Sequence, residues 1–465
     1  MEVKDNAFVD EERIFNALEN ADLREEHILD ILAKAKECKG LTQEEVACLL
    51  KLTDKKLLQK LYDTAGYVKN KIYGKRLVFF APMYVSNICA NNCLYCGFRC
   101  ENKELERICL DEEGVVAETN ALLKEGHKRV LVVAGEHPKY SGVEYICKTV
   151  EAVYSAKYNG VGIRRVNVNC APLSIEDYKQ VKSVGIGTYQ IFQETYHYDS
   201  YMKYHVSGAK RNMANRLTGL DRAIEAGIDD VGIGPLFGLY DFKFEVLATL
   251  QHCEHLNQLY NIGPHTISVP RLEPALNAPV ANNIPYPVTE DDMRKIVSTF
   301  RVAVPYTGMI LSTRERPEFR NELINLGISQ ISAGSRVGPG EYSKAEGLEE
   351  RKDQFHLADE RTLSQMIDML MEGEFIPSFC TACYRRGRTG EAFMKHAKEG
   401  DIHEMCLPNA LLSFREYLYD FANEQAKAKG YAIIDKQVDN LPENMKNTVK
   451  KLIANIDKGE KDQYI

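Results

Sequence analysis

The sequence has no tryptophan, no long apolar run and no excess of positive charge, and these absences narrow what the chain can be. No stretch reaches the roughly 18 apolar residues that a membrane span needs, and the first residues are acidic where a leader would be basic and then apolar. We therefore expect a cytoplasmic protein without a membrane segment. The net charge of −8 at pH 7 disfavours attraction to nucleic acid or anionic membranes, so small molecules and proteins are the expected partners.

The thirteen cysteines are the most informative part of the composition. Thiols stay reduced in the cytosol, so these cysteines do not indicate a disulfide framework and are available to bind metal. With 44% hydrophobic and 27% charged residues, the chain is otherwise typical of a globular protein.

The fold class follows from short apolar runs that alternate with longer amphipathic segments from residue 77 onward. The eight candidate strands are LVFFAPMYV, RVLVVAG, RRVNVNC, TYQIFQE, DVGIGPLFG, TISVPRL, AVPYTGMILS and ISQISAG. Eight strand and helix units in roughly 260 residues predict an α/β fold, a (β/α)8 barrel of the TIM type. An open doubly wound sheet is disfavoured because no G-x-G-x-x-G turn follows the first strand.

Three segments are expected along the chain. Residues 1–75 form a helical N-terminal extension, in which Thr42 and Glu45 have the spacing of a capping box. Residues 76–355 form the barrel, with its chemistry at the C-terminal ends of the strands. Residues 356–465 form a helical C-terminal region that contains a second group of cysteines.

The first cysteine group, Cys89, Cys93 and Cys96, directly follows the first predicted strand. Three thiolates on one short loop can hold three irons of a 4Fe-4S cluster and leave the fourth iron open to a substrate or cofactor. A zinc knuckle is the alternative, but zinc favours four protein ligands in paired CxxC spacing.

The CxxxCxxC motif with Tyr95 before its last cysteine resembles the radical SAM (S-adenosylmethionine) signature. The resemblance implies that SAM binds the open iron and that Tyr95 lies near its adenine; a core aromatic is the alternative. After the second strand, Ala134-Gly135-Glu136 resembles the Gly-Gly-Glu that receives the SAM amino group, with Ala in place of the first Gly.

Two further segments resemble SAM-binding elements of the superfamily. Arg216 resembles an arginine of biotin synthase that pairs with the SAM carboxylate, although a solvated helix arginine fits equally well. Gly232 and Gly234 resemble a Gly-rich fifth strand that lies against the adenine, with close strand packing as the alternative.

The second cysteine group consists of Cys380, Cys383 and Cys406, a CxxC followed after 22 residues by a third thiol. A zinc site would need a fourth ligand such as His396 or His403. A second 4Fe-4S cluster is the preferred interpretation.

This CxxC-x22-C pattern resembles the C-terminal motif of the tyrosine lyases that mature FeFe-hydrogenase. The resemblance implies a radical carbon-carbon lyase that cleaves the Cα–Cβ bond of L-tyrosine to p-cresol and dehydroglycine. Dehydroglycine then yields CO and cyanide, which assemble on iron for the hydrogenase H-cluster. An electron donor and other hydrogenase maturation proteins are the implied protein partners. A related tyrosine lyase of thiazole synthesis lacks a complete second cluster.

The resemblance also implies an additional iron on the second cluster, bridged by free L-cysteine. His265, just before the sixth strand, is the candidate ligand because neutral imidazole suits iron. A loop histidine with only a surface role is the alternative, and His252 and His255 are weaker candidates.

For the tyrosine carboxylate, Ser312 and Arg314 offer a hydroxyl and a guanidinium on one strand face. The alternative places Arg314 in a surface network with Glu315. Another set of side chains is expected to line the same cavity without an assigned role: Gln193, Glu194 and Tyr196.

Three functions are compatible with these patterns: the hydrogenase-type lyase, the thiazole-pathway lyase that makes dehydroglycine (2-iminoacetate), and an iron-sulfur scaffold or carrier without turnover. For the first, we hypothesise a channel inside the barrel that keeps cyanide from escaping between the two clusters.

Overall fold

A computed structural model describes residues 6–344, 354–399 and 402–465 of the chain. It begins with four helices: α1 (Glu11–Glu19), α2 (Glu25–Ala35), α3 (Gln43–Leu50) and α4 (Lys55–Tyr73). The predicted capping box starts α3, where Thr42 accepts from the Glu45 amide and the Glu45 side chain accepts from the Thr42 amide. The described part of the N-terminal segment is therefore helical.

All eight predicted strands form, and they close into a parallel barrel because β1 pairs with both β2 and β8. The strands are β1 (Arg76–Ser86), β2 (Arg129–Ala134), β3 (Arg165–Asn169), β4 (Tyr189–Gln190), β5 (Val231–Ile233), β6 (Thr266–Ser268), β7 (Gly308–Leu311) and β8 (Gln330–Ser332). Nearly every residue of β1 is buried, as expected for a parallel strand that is covered on both faces. The TIM-type fold class is confirmed.

Helices surround this barrel and alternate with its strands. They are α5 (Glu112–Glu125), α6 (Val143–Ser155), α7 (Ile175–Ser183), α8 (Tyr198–Tyr204), α9 (Met213–Leu217), α10 (Gly219–Glu225), α11 (Phe242–Tyr260), α12 (Glu290–Ala303) and α13 (Pro317–Leu326). Helix α5 ends at Gly126, whose φ of 99° is the left-handed conformation that glycine adopts readily. Helices α9 and α10 are separated at Thr218.

The region after residue 355 is not purely helical, which corrects the prediction. Ile376–Ser378 forms β9, which pairs in parallel with Arg76–Val78 at the start of β1. A three-residue strand containing Pro377 has too little alternation to be recognised from sequence. The helices of this region are α14 (Leu363–Glu372), α15 (Ala382–Arg385), α16 (Gly390–Glu399), α17 (Ile402–Phe421), α18 (Glu424–Asp439) and α19 (Glu443–Ile456).

The barrel interior contains one cavity towards each end, because alternate residues of its strands point inward. On β1, Phe80, Pro82 and Tyr84 line the cavity at the C-terminal ends of the strands, whereas Arg76 and Val78 line the cavity at their N-terminal ends. We call these the carboxyl-end cavity and the amino-end cavity.

Within the described residues, none of the helices combines the length and apolar character required to cross a membrane.

Candidate active site and second cysteine site

The first three cysteines line the carboxyl-end cavity, whose volume is about 190 Å³. Their loop is fixed by side chains that bond its backbone. The Asn87 side chain donates to the carbonyl of Glu106 at 2.8 Å and accepts from the Ile108 amide at 2.7 Å. The Arg107 guanidinium donates to the carbonyls of Asn87 and Phe98 at 2.7 and 2.8 Å. These bonds hold the irregular loop against the barrel mouth without a regular helix or strand.

The chemistry of these thiols fits a cluster. Burial raises the pKa of Cys89 to about 11, and burial also raises the pKa values of Cys93 and Cys96, so metal binding must displace their protons. In the part of the chain that the structure describes, no three His, Cys, Asp or Glu side chains converge as the ligands of a single ion do. Thiolates of a 4Fe-4S cluster bind different irons and need not converge on one point.

A buried ion pair lies beside the thiols. Arg216 Nη1 is 2.9 Å from Glu136 Oε1, and the Asn91 side chain donates to the other oxygen of Glu136 at 2.8 Å. Burial opposes ionisation of Glu136, but Arg216 and Lys210 outweigh it and lower the pKa of Glu136 below its usual value. A carboxylate beside a guanidinium complements a zwitterion, because one accepts from an ammonium and the other donates to a carboxylate.

Glu194 extends this charged group. Its carboxylate accepts from Lys210 Nζ at 2.6 Å and lies 3.8 Å from Arg216 Nη2. Its φ of 73° is unusual for a residue other than glycine and turns the chain after β4 towards the cavity. Of the three side chains predicted after β4, only Glu194 lines this cavity: Tyr196 instead bonds His252 of α11 at 2.9 Å, and Gln193 is buried elsewhere.

Tyr95 and Gly135 occupy positions that fit the predicted cofactor site. The Tyr95 ring lines the cavity, and its hydroxyl lies 2.8 Å from His205 Nε2. A Cβ at Gly135 would lie 2.6 Å from the Ile88 carbonyl, so only glycine permits β2 to approach the cysteine loop this closely.

Strand packing explains Gly232 of β5 and Gly234, which directly follows this strand. A Cβ at Gly232 would lie 2.5 Å from Thr266 Oγ1, and one at Gly234 would overlap the Ser268 carbonyl. Close contact with β6 therefore accounts for both residues.

Ser312 and Arg314 line the same carboxyl-end cavity as the cysteines. The Arg314 guanidinium lies 3.5 Å from the centre of the Phe355 ring and donates to the Arg271 carbonyl at 3.0 Å. Glu315 pairs with Arg271 instead, so Arg314 is not part of the surface network that we considered as an alternative.

The second cysteine group lies at the opposite end of the barrel. Cys380, Cys383, Cys406 and His265 line the amino-end cavity, whose volume is about 50 Å³. Cys380 follows β9, Cys383 lies in α15 and Cys406 lies in α17. A hydrogen bond from Cys383 lowers the pKa of Cys406, and nearby Arg76 adds to this effect.

His265 has the properties of a metal ligand. Burial lowers its pKa to about 4, so its imidazole is neutral at pH 7. Its Nδ1 lies 3.4 Å from Asp230 Oδ2, a carboxylate of the kind that orients metal-bound histidines. The weaker candidates lie elsewhere: His252 bonds Tyr196, and His255 Nε2 is 2.7 Å from Asp221.

The two histidines considered as a fourth zinc ligand do not strengthen the zinc alternative. His396 is not one of the described residues that line the amino-end cavity. The side chain of His403 lies outside the described residues.

Comparison with known proteins identifies the family of the chain. The Radical SAM superfamily pattern matches residues 83–253, and the Biotin and Thiamin Synthesis associated domain matches residues 268–376. A crystal structure of HydG, a maturase of the [FeFe]-hydrogenase, is 47% identical, with a TM-score of 0.94 over 98% of this chain and 100% of the other. The chain belongs to the HydG family of radical SAM proteins.

Two other relatives support this placement. The FeFe-hydrogenase maturase HydG from Carboxydothermus hydrogenoformans is 42% identical, with a TM-score of 0.83 over 95% of this chain and 97% of the other. The 2-iminoacetate synthase of Escherichia coli (strain K12) is 32% identical over 65% of this chain and 78% of its own length. The similarity to HydG therefore includes the C-terminal region, and membership implies an iron-sulfur enzyme that cleaves SAM.

Two kinds of site residue were not predicted from the sequence. Asn91 lies between the first two cysteines and could have been noticed there, whereas nothing around Lys210 indicates its role. An arginine is also the first residue of each of the strands β1, β2 and β3, and all three arginines line the amino-end cavity: Arg76, Arg129 and Arg165. This repetition in the sequence could have indicated a site at the amino ends of the strands.

Replacing Arg216 with methionine is expected to weaken SAM binding by about 30-fold or more. Removing one partner of a buried charge pair costs about 2–5 kcal/mol, and here it leaves Glu136 without its guanidinium. Equilibrium dialysis with labelled SAM measures the effect. Arg211→Met is the matched control, because Arg211 does not line the cavity and bonds the Met202 and His205 carbonyls. Equal losses in both variants would contradict a SAM-binding role for Arg216.

Proposed function

We propose that this chain is a radical SAM lyase that cleaves the Cα–Cβ bond of L-tyrosine to p-cresol and dehydroglycine. It then converts dehydroglycine to CO and cyanide, which assemble on iron as a precursor of the FeFe-hydrogenase H-cluster. The observation that carries the proposal is the presence of two cysteine sites at opposite ends of one barrel, the second of them with His265.

The proposed first step takes place in the carboxyl-end cavity. A 4Fe-4S cluster on Cys89, Cys93 and Cys96 would supply the electron that cleaves SAM reductively. Glu136 and Arg216 would hold the amino and carboxylate groups of SAM, respectively. This leaves a second zwitterion, the substrate, to be held elsewhere in the cavity.

Ser312 and Arg314 are the proposed tyrosine carboxylate site. Burial lowers the pKa of Arg314, because no carboxylate offsets the cost of burying its charge as fully as an ion pair would. A substrate carboxylate would provide that partner. Phe355, which stacks on Arg314, restricts the guanidinium to the cavity wall.

The proposed second step takes place in the amino-end cavity. Cys380, Cys383 and Cys406 would hold the second cluster, and His265 would bind the additional iron that L-cysteine bridges. On β8, Ser332 lines one cavity and Gln330 the other, a separation of two residues or about 7 Å. We propose that the products of tyrosine cleavage pass between the cavities inside the barrel.

The test is product analysis of the reconstituted protein. We expect SAM-dependent p-cresol together with infrared bands of iron-bound CO and CN. Protein that forms p-cresol without those bands would instead be the thiazole-pathway lyase. Protein with both clusters that never forms p-cresol would be a scaffold or carrier.

Replacing Arg314 with methionine is expected to raise the KM for tyrosine by about 30-fold or more, because the buried charge pair with the substrate is lost. Ser312→Ala removes one hydrogen bond and should cost about 1 kcal/mol, or fivefold. Initial rates of p-cresol formation against tyrosine concentration measure both. Arg316→Met, two residues along and paired with Glu290 at the surface, is the control; a similar KM change there would refute the assignment.

A further inference from the structure

The amino-end cavity shares a wall with a second, larger cavity. This neighbour has a volume of about 380 Å³ and lies beneath the starts of β3, β4 and β5. Two residues line both cavities and form the wall between them, Arg165 and Tyr384. Asp230, which lines the larger cavity, contacts both of them. We call the larger one the outer pocket, since several of its lining residues are exposed, whereas those of the wall are mostly buried.

Tyr384 is the central part of this wall. Its ring stacks on the Arg165 guanidinium at 3.1 Å, and its hydroxyl donates to Asp230. Arg165 is held in place by a hydrogen bond from its Nε to Asn167 Oδ1 at 2.6 Å and by an ion pair with Asp230 at 3.5 Å. Among the described residues, the contacts of the tyrosine side chain are those of its ring face and its hydroxyl, so a side-chain rotation would join the two cavities.

Tyr384 is also coupled to the second site. It directly follows Cys383 in the short helix α15, and its acceptor Asp230 also lies 3.4 Å from Nδ1 of His265. Movement of Tyr384 would therefore free a carboxylate that contacts the proposed iron ligand. Occupancy of the site and the position of the tyrosine are linked through Asp230.

The cavity behind this wall favours an anion. Arg76, Arg129 and Arg165 line it, no carboxylate is among its described lining residues, and Arg129 Nε is buried without a hydrogen-bond partner. The neighbouring carboxylate is Asp230, which pairs with Arg165. Three thiolates around an oxidised cubane would add a single net negative charge, which leaves one positive charge uncompensated. A buried cation without a partner is costly, and a small anionic ligand removes that cost.

We propose that the outer pocket is the port through which a small carboxylate ligand reaches the second cysteine site, and that Tyr384 is its gate. The proposal rests on the second cluster of the proposed function. It extends that function by assigning an entry route at the amino end that is separate from the tyrosine-binding mouth.

The test measures how fast iron leaves the second site of the reconstituted holoenzyme. The probes are nitrilotriacetate, a small carboxylate chelator, and neutral 2,2′-bipyridine, with the electron paramagnetic resonance signal of the first cluster as the internal reference. Tyr384→Ala should accelerate loss from the second site at least tenfold with both chelators, and Tyr384→Phe, which loses only the bond to Asp230, should have a smaller effect. Tyr67→Ala, an exposed tyrosine on α4, should change nothing.

The preference for an anion is tested separately with Arg129→Gln. This variant should lose second-site iron to nitrilotriacetate at least threefold more slowly than wild type, whereas the rate of iron loss to 2,2′-bipyridine should not change. Unchanged rates of iron loss in Tyr384→Ala would overturn the role of Tyr384 as a gate. Loss of the second cluster from both Tyr384 variants would also overturn it, because the tyrosine would then be a structural support. Equal effects of Arg129→Gln on both chelators would overturn the carboxylate preference. Wild-type protein without second-site iron would refute the second cluster itself, whereas failure of p-cresol formation alone would leave the port intact.

Discussion

Protein in which Cys89, Cys93 and Cys96 are all alanine is expected to form p-cresol only at the uncatalysed rate. Without its three thiolates the first cluster cannot assemble, and no residue in the carboxyl-end cavity can replace it as an electron source for SAM. The expected loss is about 10⁶-fold or more, the lower range of enzyme rate enhancements. Product analysis and electron paramagnetic resonance measure it, and one of two reduced cluster signals should disappear.

Cys100→Ala is the matched control for this experiment. Cys100 lies four residues beyond Cys96 in the same segment and is partly exposed, but it does not line the cavity. We expect wild-type activity and both signals. Retained p-cresol formation in the triple variant would place the radical chemistry at the second site and reverse the two assignments.

Replacing Cys380 and Cys383 with alanine is expected to separate the two steps. The second cluster should be lost, so CO and iron-bound cyanide should fall to background, a loss of at least about 100-fold, since a metal site deprived of two ligands does not retain its metal. The p-cresol yield should stay within about twofold of wild type, because both thiols lie at the amino end of the barrel and the proposed tyrosine site lies at the carboxyl end.

Cys147→Ser, in α6 and away from both cavities, controls for loss of a thiol. Infrared spectroscopy and p-cresol analysis on the same samples separate the outcomes. If p-cresol were lost together with CO, the second cluster would serve tyrosine cleavage itself, and the division of labour between the two ends would be wrong.

Local sequence pattern determined most of the barrel and both cysteine groups. The strands were predictable because apolar runs such as residues 77–85 must be buried on both faces of a parallel barrel. Cys89, Cys93 and Cys96 are near one another in the chain, so their spacing alone indicated a shared metal site. The capping box at Thr42 was likewise a local signal.

The short strand β9 of the C-terminal region was not predictable. It has three residues and is stabilised by pairing with the start of β1, 300 residues earlier, so its sequence carries almost no signal of its own. That pairing places Cys380 beneath the barrel. The sequence indicated a second site but not its position relative to the first.

Long-range contacts also decided which polar residues belong to the sites. Sequence alone placed Gln193, Glu194 and Tyr196 together, but the left-handed turn at Glu194 directs only that side chain into the cavity and sends Tyr196 to His252. Lys210 joins the site through its contact with Glu194 and has no motif of its own.

The cysteines thus determined, without the structure, the kind of chemistry: thiols at cluster spacing in a chain whose sequence predicts neither a disulfide framework nor a membrane span. Only the tertiary structure decided where that chemistry takes place. Closure of the barrel puts the ends of all eight strands at two mouths, so residues far apart in sequence, such as His265 and Cys406, meet in one cavity. Spacing along a chain records local geometry, whereas the meeting of distant segments depends on how the whole barrel packs.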